Sequence, residues 1–239
     1  MALMQFNFRS ACLRRATNVS IVLPTNTDRM GSAANLRADA KYQVLWLLHG
    51  GLGDDRDFLN FSNILRHAEE HHIAVVMPSC EGLFYQEPYF TYVTEELPRL
   101  LQKLLPLSDK REDNFIGGLS HGGDCALRAC LEKPEQYAAG LVMSAAGTTH
   151  FADRENHLLY DVFGLAEKAL EGQPTPVIFA TGSGDRGAPC YYPVIDRLDE
   201  MGYPLRRHYV ENDGHSWPFW DNTLKLALDE LLPIAHDYV

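Results

Sequence analysis

The sequence predicts an α/β protein: a mostly parallel central sheet with helices on both faces. Three observations predict it. Short apolar runs of strand length alternate with amphipathic segments of helix length along most of the chain. Several of those runs are apolar throughout, as strands covered on both faces must be. A glycine-flanked serine, Gly118-Leu119-Ser120-His121-Gly122, joins one such run to a helix-forming one.

The elements follow in order. Val19–Pro24 reads as an early strand closed by proline, and Gln43–Leu48 and Ile73–Pro78 are continuous apolar runs. Asn114–Gly118, Ala139–Ser144 and Val177–Thr181 supply three more strands, and Arg206–Val210, more polar, is an edge strand. Helices are expected at Asp57–Glu70, Val93–Leu105, Asp124–Lys133, Tyr192–Met201 and Asn222–Leu232. No repeat, low-complexity stretch or linker interrupts them, so residues 1–239 are expected to form one domain. Two connections are long and aromatic. Ser79–Thr91 carries Phe84, Tyr85, Tyr89 and Phe90, and 147–176 carries Phe151, Tyr160 and Phe163. Both are expected as lids or pocket walls.

Composition restricts the partners. Against 21 Lys and Arg stand 32 Asp and Glu, a net charge of −11, which argues against nucleic acid or an anionic membrane as partner. No apolar run is long enough to span a bilayer, and the first residues lack the pattern of a secretory leader. The five cysteines are odd in number and show no C-x-x-C spacing, which favours reduced thiols and a cytoplasmic location.

The chemistry centres on Gly118-x-Ser120-x-Gly122. A serine between glycines, after a strand and before a helix, can sit at a sharp turn in a strained conformation that exposes its hydroxyl. That hydroxyl needs a base, and the base a carboxylate, on loops after later strands. His215, in Asn212-Asp213-Gly214-His215-Ser216-Trp217, directly follows the last strand. His208 lies within that strand, His150 and His157 in the insertion and His236 in the tail. Asp185, in the glycine-rich turn after Val177–Thr181, is the expected acid; Asp196 and Asp199 fall within a helix and Asp153 and Asp161 in the insertion. For the developing oxyanion, the backbone N–H of His121 is one donor. The glycine turn after Gln43–Leu48 supplies the other, assigned to Gly51 with Gly50 or Leu52 as neighbours in an altered register. Gly50, Leu52 and Trp217 are the expected pocket residues, Trp217 serving equally well as an anchor for the final helix. His67 and His71 stand one helical turn apart, but without an H-E-x-x-H pattern they are not taken as metal ligands.

The chain resembles the esterase D group of α/β-hydrolases, most closely its tributyrin esterase branch of small intracellular carboxylesterases. The resemblance runs nearly full length through Val19–Pro24, Leu47-Leu48-His49-Gly50, Glu95-Glu96-Leu97-Pro98, Arg111–Ser120 and Gly214–Trp220. It implies an α/β-hydrolase fold, the triad Ser120, Asp185 and His215, short-chain acyl ester substrates and no metal or organic cofactor. Self-association as a dimer or tetramer is implied by the resemblance alone. S-formylglutathione hydrolase, a carbohydrate acetyl esterase, an acyltransferase and a non-catalytic binding protein on the same fold are the alternatives. Two departures from the group stand out: His121 where it usually has Met, and Gly184-Asp185-Arg186-Gly187 in place of the usual acidic and aromatic residues following the acid.

Overall fold

A computed structural model describes residues 1–25, 41–80, 82–83, 86–145 and 160–235. Eight strands form one sheet in the order β1-β2-β4-β3-β5-β6-β7-β8. They are β1 Ala2–Ser10, β2 Arg15–Leu23, β3 Val44–Leu48, β4 Ala74–Pro78, β5 Asn114–Leu119, β6 Ala139–Met143, β7 Val177–Gly182 and β8 Leu205–Val210. From β4 to β8 every neighbouring pair is parallel. The β1–β2 hairpin adds to β4 through antiparallel pairing, Val19 opposite Pro78 and Val22 opposite Val75. This is the α/β-hydrolase fold the sequence predicts.

The apolar runs account for the middle of the sheet. Every residue of β3, β4, β5, β6 and β7 is buried, as two covered faces require. On one face lie α5 His121–Glu132, α6 Val162–Leu170 and α7 Ala188–Glu200. They are joined there by α3 Glu87–Thr91, which runs through a π-helical turn, Tyr92–Glu96, into α4 Leu97–Leu104. On the other lie α1 Asp57–Phe61, α2 Ile64–Glu70 and α8 Trp217–Leu226, burying Phe58, Ile64, Ala68, Phe219, Trp220 and Leu224.

Several expectations are revised. The single helix expected at Asp57–Glu70 is two, because the Ser62 hydroxyl donates to Phe58 O at 2.6 Å and the Asn63 N–H donates to Asp221 at 2.7 Å. These local side-chain bonds compete with the helical ladder. Strand β1 adds to the expected set. Met4, Phe6 and Phe8 are half-buried while Leu3, Gln5, Asn7 and Arg9 are exposed, the period-two pattern of an edge strand. Within 147–176, residues 160–176 are described, and α6 there buries Val162, Ala166 and Ala169. It is a crossover helix between β6 and β7 rather than a lid; Phe151 lies outside the described residues. Of the aromatics expected to wall the site, Tyr89 and Phe90 are core residues, with the Arg128 guanidinium 3.8 Å from the Phe90 ring centroid. Phe84 and Tyr85 lie outside the described residues.

Candidate active site

Ser120 sits where the last hydrogen bond of β5 meets the first turn of α5. Its N–H donates to Met143 O at 2.8 Å, and its carbonyl accepts from Asp124 N at 3.2 Å. Its backbone has φ 53 and ψ −120, a conformation that costs a non-glycine residue of order 1–3 kcal/mol and persists only when its surroundings enforce it. They do so by crowding. A Cβ on Gly122 would lie 2.4 Å from the carbonyl oxygens of both His49 and Leu48, and one on Gly118 would lie 2.5 Å from Gly122 O. Helix α5 therefore begins at His121 rather than at the expected Asp124. The two glycines that look like weak helix formers are what let the first turn press against β3.

Asp185 and His215 come from the loops after β7 and β8. The loops are stitched together by Gly184 N to Asp213 O at 2.7 Å, Ser183 N to Val210 O at 3.1 Å and Asn212 N to Ser183 Oγ at 2.8 Å. His215 Nδ1 lies 3.2 Å from Asp185 Oδ2, and the other oxygen, Oδ1, accepts from Gly187 N at 2.8 Å. Asp185 is 6% exposed whereas the His215 side chain is 40% exposed, so the imidazole is held from behind and open in front. An Nδ1–H given to the carboxylate leaves Nε2 with its lone pair, the tautomer a general base requires. Ser120, Asp185 and His215 line one cavity of about 480 Å³ together with Ala145, Gly184, Arg186 and Gly187.

The loop after β3 lies against the serine turn. A Cβ on Gly50 would be 3.4 Å from Ser120 Cβ, and one on Gly51 would be 2.8 Å from His121 Nδ1, so the His121 imidazole covers Gly51. The His121 amide belongs to the first turn of α5, whose leading N–H groups have no partner within the helix. The expected pocket residues Gly50, Leu52 and Trp217 do not join the cavity wall among the described residues, which Ala145, Gly184, Arg186 and Gly187 form instead. Leu52 has φ 65 and a fully exposed side chain. Trp217 packs edge-on against Phe58 at 5.5 Å and beside Phe61 at 5.1 Å, anchoring α8.

His49 is a residue whose role the sequence understates. It is 2% exposed, and burial pushes its pKa below the ordinary histidine value. Its Nε2 accepts from Cys80 N at 2.9 Å, so its Nδ1 carries the proton and donates to Gly50 O at 2.7 Å. A neutral imidazole thus pins the glycine loop to the end of β4. The signal was its place directly before two glycines at a strand end. His67 and His71 reach separate carboxylates on the final helical segment, Asp221 at 3.3 Å and Asp229 at 2.9 Å. Cys125 and Cys130 are buried behind Ser120, and burial pushes the Cys125 thiol up to about 12, leaving it protonated and inert.

Residues 10–185 match the family described as "Putative esterase". An acetyl esterase from Caldicellulosiruptor saccharolyticus is 34% identical over 270 residues, covering 98% of this chain and 100% of its own. S-formylglutathione hydrolase from Staphylococcus aureus superposes with a TM-score of 0.82 at 24% identity, covering 97% of this chain and 98% of that one. A fluorophosphonate-binding serine hydrolase from the same organism gives a TM-score of 0.84 at 23% identity, over 97% of this chain and 98% of its own. Likeness at that level of identity shows the shared fold.

Proposed function

As this chain belongs to the esterase family and is a serine-type carboxylic ester hydrolase, we propose that Ser120 is its nucleophile and short-chain acyl esters are its substrates. One observation carries the assignment of residues. Ser120, strained at φ 53, shares a cavity with His215, whose Nδ1 lies 3.2 Å from the buried Asp185 carboxylate. Within the family, the motif residues from Val19–Pro24 to Gly214–Trp220 favour the tributyrin esterase branch. A cytoplasmic location is supported by five free thiols.

The reaction runs in two halves. His215 Nε2 takes the proton of Ser120 Oγ as that oxygen bonds to the ester carbonyl carbon. The carbonyl oxygen becomes an anion, which the amides of Gly51 and His121 receive. Asp185 fixes the ring and stabilises the imidazolium. Collapse breaks the bond to the alcohol oxygen, which leaves with the proton from Nε2. Water then adds to the acyl-enzyme by the same path, giving the carboxylic acid and free Ser120. No step calls on a metal or an organic cofactor. The acetyl esterase relative supports acetyl as one accepted acyl group.

Fluorophosphonate labelling followed by peptide mass spectrometry tests the assignment. The adduct should fall on Ser120 and be blocked by prior turnover with a slow ester. An adduct on any other serine would remove Ser120 as nucleophile. A series of p-nitrophenyl esters should show kcat/KM highest for short acyl groups; a maximum at long chains would overturn the substrate class.

A further inference from the structure

The cavity that holds Ser120 and His215 also holds a cation. Arg186 directly follows Asp185 and lines the same space of about 480 Å³. The carboxylate next to it in sequence is committed elsewhere, to His215 Nδ1 and Gly187 N. The Asp213 carboxylate across the loop is also committed: it accepts from Ser216 Oγ at 2.7 and 2.9 Å and from Gly214 N at 2.7 Å. Arg186 makes no ion pair or hydrogen bond among the described residues. Elsewhere Arg56, Arg128 and Arg207 each pair with carboxylates of the chain itself. In a protein with 32 acidic and 21 basic residues, an exposed guanidinium that lines the cavity of Ser120 and His215 and has no partner among the described residues is placed to pair with a group from outside the chain.

We propose that Arg186 is a specificity-determining residue that binds an anionic oxygen group of the substrate, so that the preferred esters carry a carboxylate or phosphate. This rests on the esterase reading above and refines its substrate. The chemistry suits the task. A guanidinium presents paired N–H donors that match a carboxylate or phosphate in a bidentate contact, and it gives up water more readily than an ammonium does. Arg186 stands on the loop that carries Asp185 and shares the cavity wall with it, whereas the glycine turn of Gly50 and Gly51 is not among the residues that form that wall. An anion held there leaves the proposed oxyanion donors free. The overall charge of −11 repels anionic esters at long range, so discrimination in their favour must be local.

The test compares charged and neutral esters in two pairs. Mono-4-nitrophenyl glutarate against 4-nitrophenyl pentanoate places the anion on the acyl side; 4-acetoxybenzoate against phenyl acetate places it on the alcohol side. In at least one pair, the ratio of kcat/KM for the anionic to the neutral ester should fall about tenfold in Arg186→Gln and further in Arg186→Glu. Arg186→Lys should recover part of the ratio. The pair that responds identifies which side of the ester bears the charge. Ratios unchanged within about twofold in both pairs for both Gln and Glu variants would overturn the proposal. Ser120→Ala, run on all four esters, separates the two claims. If it abolishes turnover while the ratios ignore Arg186, only the anion site fails; if it leaves turnover intact, the esterase reading itself fails.

Discussion

The indole of Trp220 stands edge-on to the imidazole of His215, ring centroids 5.1 Å apart at 71°, and its Nε1–H donates to Ser144 Oγ at 2.9 Å. Ser144 in turn donates to the carbonyl of Gly214, the residue before His215. One buried hydroxyl at the end of β6 thereby braces both the ring beside the imidazole and the loop that carries it. Ser144→Ala removes a bond in each direction and leaves the 7%-exposed Trp220 without its acceptor. Stability should fall by about 1–3 kcal/mol, and kcat should drop with little change in KM, because the base is loosened rather than removed. Ser144 has φ 46, so Ser144→Gly should lower kcat as much at a smaller cost in stability. Urea denaturation and steady-state kinetics on both variants check this; an unchanged kcat in both would dissolve the brace.

Ser120→Ala should lower kcat by about 10³-fold or more while the protein stays folded, since no other group can form the acyl-enzyme. Asp185→Asn should lower it by about 10²- to 10⁴-fold, because an amide facing Nδ1 no longer selects the tautomer that frees Nε2. The Gly187 N–H bond to Oδ1 can survive in the amide, so the loop should hold its shape. Circular dichroism and turnover measured on the same preparations decide between lost chemistry and lost fold.

The centre of the sheet and the elbow were legible because each depends on a local pattern. Unbroken apolar runs dictate β3 to β7, and Gly118 and Gly122 mark a turn that side chains would obstruct. What the sequence leaves dark is set by contacts distant along the chain. Whether Tyr89 and Phe90 line a pocket or fill the core depends on Arg128 reaching Phe90 from α5. Trp217 is drawn to Phe58 and Phe61, some 160 residues earlier by their numbering, and nothing near Trp217 announces that. Strand β1 was not read from the sequence, because the alternation of Met4, Phe6 and Phe8 marks an edge strand only once β2 pairs with it.

His49 gives a prediction linking pH to stability. Its folded pKa is depressed by burial below the ordinary 6.5, so the unfolded chain binds the proton first as pH falls. The stability it contributes is therefore complete above about pH 6.5 and is lost as the pH drops below that value. Between about pH 7 and about pH 5 the wild type should lose stability more steeply than His49→Gln, which cannot titrate. The same variant should also lose about 10- to 100-fold in kcat, because Gly50 and Cys80 lose the ring that joins them. Urea midpoints at the two pH values, parallel in wild type and variant, would refute the linkage.

Glu96 makes a second part of the molecule acid-sensitive. Burial alone would raise its pKa, but the Ser10 hydroxyl and the Ala11 and Cys12 amides, the latter two at 2.6 and 3.2 Å, all donate to its carboxylate. The net effect is a folded pKa below the ordinary 4.5. A depressed carboxylate stabilises the fold above its unfolded pKa and loses that contribution as pH falls through the folded value. Here the bonds fasten the β1–β2 turn to the π-helical turn before α4. Glu96→Gln should cost about 1–2 kcal/mol at pH 7 and flatten the acid limb of the stability curve between about pH 5 and about pH 3. Because none of Glu96, Ser10, Ala11 and Cys12 lines the cavity of Ser120, kcat/KM at neutral pH should not move. Denaturation at pH 7 and about pH 4, together with ester turnover, measures all three; an acid limb as steep in the variant as in the wild type would assign the loss to other carboxylates.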